Sequence, residues 1–134
     1  MKLSVKARYG LKVMCILALE YGKGAIALSQ IANDSGISEA YLEKVLMMLR
    51  RSDLVNSTRG ASGGYELSKP PADTSVGEIV RALEDGLEIV ECIGGKCADK
   101  CNCRTFSVWN KMYEAINDTL DNMSLESLIS EDRK

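Results

Sequence analysis

No histidine occurs anywhere in the 134 residues, and the chain has a single phenylalanine and a single tryptophan. Any metal centre must therefore be built without imidazole, the commonest metal ligand. Long apolar runs are missing too. The longest, Val13 to Leu19, falls far short of the roughly 20 residues needed to cross a bilayer. The first residues lack the basic, apolar and small-residue order of a secretory signal, so a cytoplasmic protein with no membrane partner is expected. There is no Cys-x2-Cys pair, the usual knuckle of a cysteine zinc site. The one glycine-rich loop lacks a Gly-Lys-Ser/Thr ending and no helix follows it at once, which excludes a P-loop nucleotide site. No catalytic residues are expected, and no internal repeat or low-complexity segment is found.

What is present has ordinary proportions. Apolar residues at 46% and charged residues at 27% exclude disordered and fibrous classes, and the length suits one domain. The net charge of −2 conceals an asymmetry: residues 1–70 carry ten Lys/Arg against six Asp/Glu, while residues 71–134 carry seven against thirteen. A basic N-terminal half points to a polyanionic partner. All but one of the five cysteines fall between Cys92 and Cys103, in a stretch with almost no apolar bulk to make them core residues. The exception, Cys15, lies in the apolar run and reads as a small buried hydrophobe.

In chain order, Ser4 is a plausible N-cap for a helix reaching Tyr21, ended by Gly22 and Gly24. Leu28, Ile31 and Ala32 mark a short second helix that turns through Gly36, after which Ile37 enters the core. Ser38 caps a third helix to about Arg51, with Leu42, Val45, Leu46 and Leu49 in a single buried stripe. Helix, glycine turn and helix form a helix-turn-helix. The opposite face carries Ala40, Lys44, Met47 and Arg51, with Tyr41 and Glu43 on its flanks, as a recognition helix would present to a major groove. Glu43 can accept a hydrogen bond from a cytosine amino group. Leu54 to Ser68 reads as two short strands joined by a Gly-rich turn, a wing in which Arg59 stands beside Gly60, Gly63 and Gly64. There the backbone can lie close to a sugar-phosphate chain.

Lys69 to Thr74 is a linker. Ser75 to Glu78 is a capping box opening a helix to about Glu84, expected to pack beneath the wing. Beyond the cysteines, Phe106, Trp109, Tyr113, Ile116, Leu120 and Met123 follow a heptad repeat, which predicts a seam between two copies over residues 106–123. A short helix from Ser124 to Ser130 and a frayed tail close the chain. The expected fold is mainly α with a small β wing. A winged helix-turn-helix DNA-binding domain occupies residues 1–84, a cysteine-rich sensor loop 85–103, and a dimerisation helix with C-terminal tail 104–134.

Three segments, Lys6-Ala-Arg-Tyr-Gly10, Ile37-Ser-Glu-Ala-Tyr-Leu-Glu43 and Arg59-Gly-Ala-Ser-Gly-Gly-Tyr65, carry a family likeness. The sequence resembles the Rrf-type winged-helix bacterial regulators, the family of IscR, NsrR and CymR, from Met1 to about Ile129. The resemblance implies a homodimer on double-stranded operator DNA, with the recognition helix in the major groove and the wing in the minor groove. By position it implies DNA contacts from Ser38, Ala40, Tyr41, Glu43, Arg59, Gly60 and Ser62, to which the helical wheel adds Lys44 and Arg51.

IscR-like members hold a [2Fe-2S] cluster with three cysteines and a histidine. Aligned on Trp109, that pattern falls on Cys92, Cys97 and Cys103, and the histidine position falls on Phe106. The fourth ligand is then either absent or comes from elsewhere: Cys101, Asp99 or an acidic or basic group on a partner's N-terminal helix. Thiolates suit iron-sulfur clusters and zinc alike. A cluster-free thiol switch at Cys101 or Cys97 is the alternative, with Lys96, Lys100 and Arg104 favouring the thiolate. Such a chain would be a redox or iron-sulfur sensor, or else a cysteine-metabolism repressor, a zinc-stabilised regulator or a nitric oxide sensor.

Overall fold

A computed structural model describes residues 3–61, 63–88, 93 and 104–130. Helix α1 (Val5–Leu19) begins where the Ser4 hydroxyl accepts the Ala7 N–H at 3.2 Å. Helix α2 (Leu28–Ser35) stops at Gly36, whose φ of 74° places it in the left-handed region that a side chain disfavours. Two residues later Ser38 caps α3 (Glu39–Arg51) by accepting the Tyr41 N–H at 3.3 Å. The short turn between α2 and α3 is closed from inside: buried Ser35 accepts the Ile37 N–H at 3.2 Å, and Ile37 is buried.

Strands β1 (Val55–Thr58) and β2 (Gly64–Leu67) pair antiparallel, with Val55 opposite Leu67 and Thr58 opposite Gly64. Among the described residues of this hairpin only Val55 and Leu67 are fully buried, so its base is anchored. Ile26 forms a separate antiparallel bridge to β2, exchanging two 2.8 Å hydrogen bonds with Tyr65. A Cβ on Gly64 would collide with the Ile26 carbonyl, so this close approach of backbones requires glycine there.

After a 3-10 turn (Pro71–Asp73), α4 (Val76–Leu83) opens with the expected capping box: Glu78 N–H donates to Ser75 Oγ at 3.1 Å, and Ser75 N–H to Glu78 Oε2 at 2.9 Å. The expectation that α4 lies beneath the wing is corrected. It packs against α1, α3 and α5 (Phe106–Asp121), while the strands rest on α1 and α3. Gly10 permits the α1–α4 contact, because a Cβ there would strike the Leu83 side chain.

The heptad stripe divides between two jobs. Tyr113, Leu120 and Met123 pack on Val76, Val80 and Leu87 of their own chain. No residue of α5 is fully buried, and Val108 and Met112 stand 48% and 46% exposed. The seam read from the sequence is therefore partly an intramolecular packing face, and the uncovered apolar stripe lies one position over.

Helix α6 (Leu125–Ser130) turns back onto α1. Val76 N–H donates to the Met123 carbonyl and Leu125 N–H to the Thr74 carbonyl, both at 2.8 Å. Leu125 is completely buried in the same cluster as Val13, Met14, Leu17, Leu42, Leu46 and Ile79. Cys15, read as a buried hydrophobe, is half-buried rather than buried and packs against the edge of that cluster.

Candidate nucleic-acid interface

Helix α3 has two faces of opposite character, set by its period. Leu42, Val45, Leu46 and Leu49 are fully buried, whereas Ala40, Glu43, Lys44, Met47 and Arg51 are exposed. The buried stripe fixes the rotation of the helix, and that rotation decides which side chains face outward. Arg50 and Arg51 lie in the last turn, where the helix dipole favours positive charge.

Tyr41 departs from the expectation of a freely presented side chain. It is half-buried, and its ring meets Tyr9 of α1 edge-on, with centroids 5.6 Å apart and planes at 80°. This pairing ties the first turn of α3 to α1. Sequence reasoning missed Tyr9, although it lies inside one of the segments that carry the family likeness, because its partner is in a different helix. Ser38 is exposed, but its hydroxyl already accepts the Tyr41 N–H, which leaves its own proton for an external acceptor.

The wing is joined to α3 by a tight corner. Asp53 has a φ of 59°, in the left-handed region, and its carbonyl accepts the Ser68 hydroxyl while Leu54 N–H returns to the Leu49 carbonyl at 3.0 Å. A short aspartate tolerates this conformation better than most side chains. The corner holds the hairpin against the end of α3, and no local periodicity in the sequence announces it. At the tip, Arg59 and Gly60 are exposed, with Gly60 at φ 107° and accepting the Gly63 N–H at 3.0 Å. Ser62 lies outside the described residues.

Among the described residues, ion pairs engage Lys23 with Glu20, Lys69 with Glu78 and Arg81 with Asp121. Lys44, Arg50, Arg51 and Arg59 take no part in these. Lys44 and Arg51 on the outward face of α3, Arg50 on its flank and Arg59 on the adjacent hairpin are thus left for an external anion. The exposed face of α3 and the hairpin tip together form a surface able to touch both phosphates and base edges.

The cysteines Cys92, Cys97, Cys101 and Cys103 lie outside the described residues. Leu87 and Ile93 are buried, and the cysteine segment leads from α4 into α5, two helices clamped together by Arg81. Its guanidinium donates to Asp121 at 2.6 and 3.0 Å and to Asn117 Oδ1 at 2.6 Å. This hydrogen-bonded cation holds the Asp121 carboxyl below the usual carboxylate range. For Glu78, partial burial pushes the carboxyl up, but Lys69 and the Ser75 N–H outweigh it and the net shift is downward. At the far end of α4, Glu84 accepts the Ser4 N–H at 2.5 Å, tying the start of α1 to the start of the cysteine segment.

The sequence profile described as "Iron-dependent Transcriptional regulator", of the Rrf2 family, matches residues 3–131. Among curated relatives, the transcriptional regulator CymR of Bacillus subtilis is 38% identical over 97% of this chain and 91% of its own length. IscR of Klebsiella pneumoniae is 34% identical over 97% of this chain and 80% of its own. Among solved structures, B. subtilis CymR, described as its global cysteine regulator, superposes with a TM-score of 0.82 at 37% identity over 99% of both chains. IscR of T. potens superposes at 0.79 with 35% identity over 100% of this chain and 94% of that one. The fold shared with these regulators is the expected mainly helical one with a two-stranded wing. The chain belongs to the Rrf2 family of DNA-binding transcriptional regulators.

Proposed function

We propose that the protein binds operator DNA as a homodimer and that the cysteine segment between α4 and α5 sets its affinity or site preference. The observation that carries the DNA reading is the exposed face of α3, with Lys44 and Arg51 free of ion pairs, set beside a hairpin whose tip presents Arg59. In this reading α3 enters the major groove and the hairpin tip, with Ser62 next to it, approaches the minor groove. Dimerisation uses α5 within residues 106–123. Its support is the uncovered stripe of Val108 and Met112 on a helix without a single buried residue. Two such helices pairing would bring the recognition helices to half-sites on one face of the duplex.

The donor set of the cysteine segment suits a [2Fe-2S] cluster. Four thiolates within twelve residues can complete the coordination that the missing histidine would otherwise share. Cys92, Cys97 and Cys103 would hold it, with Cys101 as fourth ligand. Such a cluster supplies a redox-active group sensitive to its own loss. The chain's part is to carry the order of its ligating segment outward through Leu87, Ile93 and the Arg81 clamp to α4, which packs on α3. The effect on DNA affinity is limited to the free-energy difference with which ligation favours one arrangement.

A second reading, a cluster-free thiol switch, is favoured by the absence of histidine and by the similarity to Staphylococcus aureus CymR, whose structure in an oxidised form is 38% identical. Anaerobic purification followed by a visible spectrum and iron and sulfide assays separates the two. About two iron and two sulfide per protomer, with DNA affinity that changes on cluster loss, supports the first reading. A colourless, iron-free protein after reconstitution, responding only to oxidants, eliminates it in favour of the second.

A further inference from the structure

Met47 and Met48 are neighbours in α3 with opposite fates. Met48 packs against the core, while Met47 is 47% exposed. Met47 stands one turn beyond Glu43 and one turn before Arg51, on the stripe that also carries Ala40 and Lys44. It is an apolar, flexible side chain set in the middle of the face with which a DNA-binding regulator meets its polyanion. Phosphates and the polar atoms of base edges offer a thioether little that water does not. The one apolar group on the floor of a major groove is the 5-methyl of thymine. Three rotatable bonds let methionine adapt to such a group.

We infer that Met47 reads thymine by contact with its 5-methyl group, and so contributes to operator specificity alongside the polar contact of Glu43. The charged neighbours define where Met47 lies. Lys44 and Arg51, one turn to either side, can hold the flanking phosphates, which places the methionine over the groove floor between them. The helix spacing fixes the geometry, because residues three and four apart share a face. The contact discriminates thymine from cytosine and from uracil, which differ at or near that methyl. It adds little to non-specific affinity, since it neutralises no phosphate.

This inference rests on the operator-binding reading, and its test separates the two. Binding sites are selected from a random-sequence DNA library with the full-length protein. Each thymine of the selected site is then replaced in turn by deoxyuridine, which removes only the methyl. Wild-type protein is expected to lose about fourfold in affinity at one thymine in each half-site, the equivalent of one methyl group buried. Met47→Gln, similar in length but polar, is expected to bind the thymine and uracil forms of that position equally. Met47→Leu should retain the preference. All three proteins should show the same salt dependence and, because the side chain is exposed, the same melting temperature. A uracil penalty unchanged in Met47→Gln at every position, or no penalty in the wild type, overturns the assignment to Met47. A library that yields no enriched sequence overturns the operator reading and this inference with it.

Discussion

Replacing Leu125 by alanine tests the position of α6, because a residue near the end of the chain is fully buried in a core built mostly from α1 to α4. Its main-chain N–H is bonded to the Thr74 carbonyl at 2.8 Å, so the backbone is held and the core cannot easily close over the lost atoms. A fully buried Leu→Ala change of this kind costs about 2–5 kcal/mol, with about 3 a central value. An unfolding entropy of about 2.1 cal/mol/K per residue over this chain length gives roughly 0.28 kcal/mol/K, so the melting temperature should fall by about 11 °C. Differential scanning calorimetry at fixed protein concentration measures it, since any dimer makes the midpoint concentration-dependent. Leu128→Ala, at a half-buried position of the same helix, should cost less than half as much. A fall of less than about 2 °C for Leu125→Ala, a surface-like effect, would refute the placement of α6 in the common core and make it an appendage.

Three further outcomes are expected. Met112→Glu, which puts a charge on the uncovered stripe of α5, should shift sedimentation from dimer to monomer while leaving the circular dichroism of the folded chain intact; an unchanged dimer would place the interface elsewhere. Lys44→Ala, Arg51→Ala and Arg59→Ala should each reduce the log-log salt slope of DNA binding by about 0.9 if each cation neutralises one phosphate, and a triple variant with the wild-type slope would remove α3 and the hairpin from the interface. The pH dependence follows from Asp121, whose carboxyl is held below its usual range by Arg81. A depressed carboxylate contributes stability that is fully present above its unfolded value near 4 and is lost as pH falls through the lower folded value. The α4–α5 clamp should therefore be indifferent between pH 7 and 5 and weaken below about 4, and Asp121→Asn should remove that part of the acid dependence in melting experiments across the range.

Local patterning determined most of the fold. Ser4, Ser38 and Ser75 are N-caps because their hydroxyls can satisfy helix N–H groups that nothing else reaches, and each does so here. The stripe of Leu42, Val45, Leu46 and Leu49 fixed the inner face of α3, and with it the outward set of Ala40, Glu43, Lys44 and Arg51, since a helix has one period and two sides. Gly36 and the glycines of the hairpin marked the turns for the same local reason. The sequence also determined that any metal in the cysteine segment is bound without histidine.

Tertiary structure decided what depends on contacts between distant residues. A heptad repeat specifies an apolar stripe but not its partner, and α4 claims Tyr113, Leu120 and Met123 while Val108 and Met112 stay uncovered. The Tyr9–Tyr41 pair, the Arg81 clamp on Asn117 and Asp121, and the Asp53 corner each join residues from separate elements. Their side chains carry no periodic signal, because the free energy of such a pair exists only once the chain has brought both members together. For the same reason, α6 read as a terminal addition in sequence and is part of the core in space: Leu125 is apolar in either setting, and only the return of the chain to Thr74 and α1 buries it.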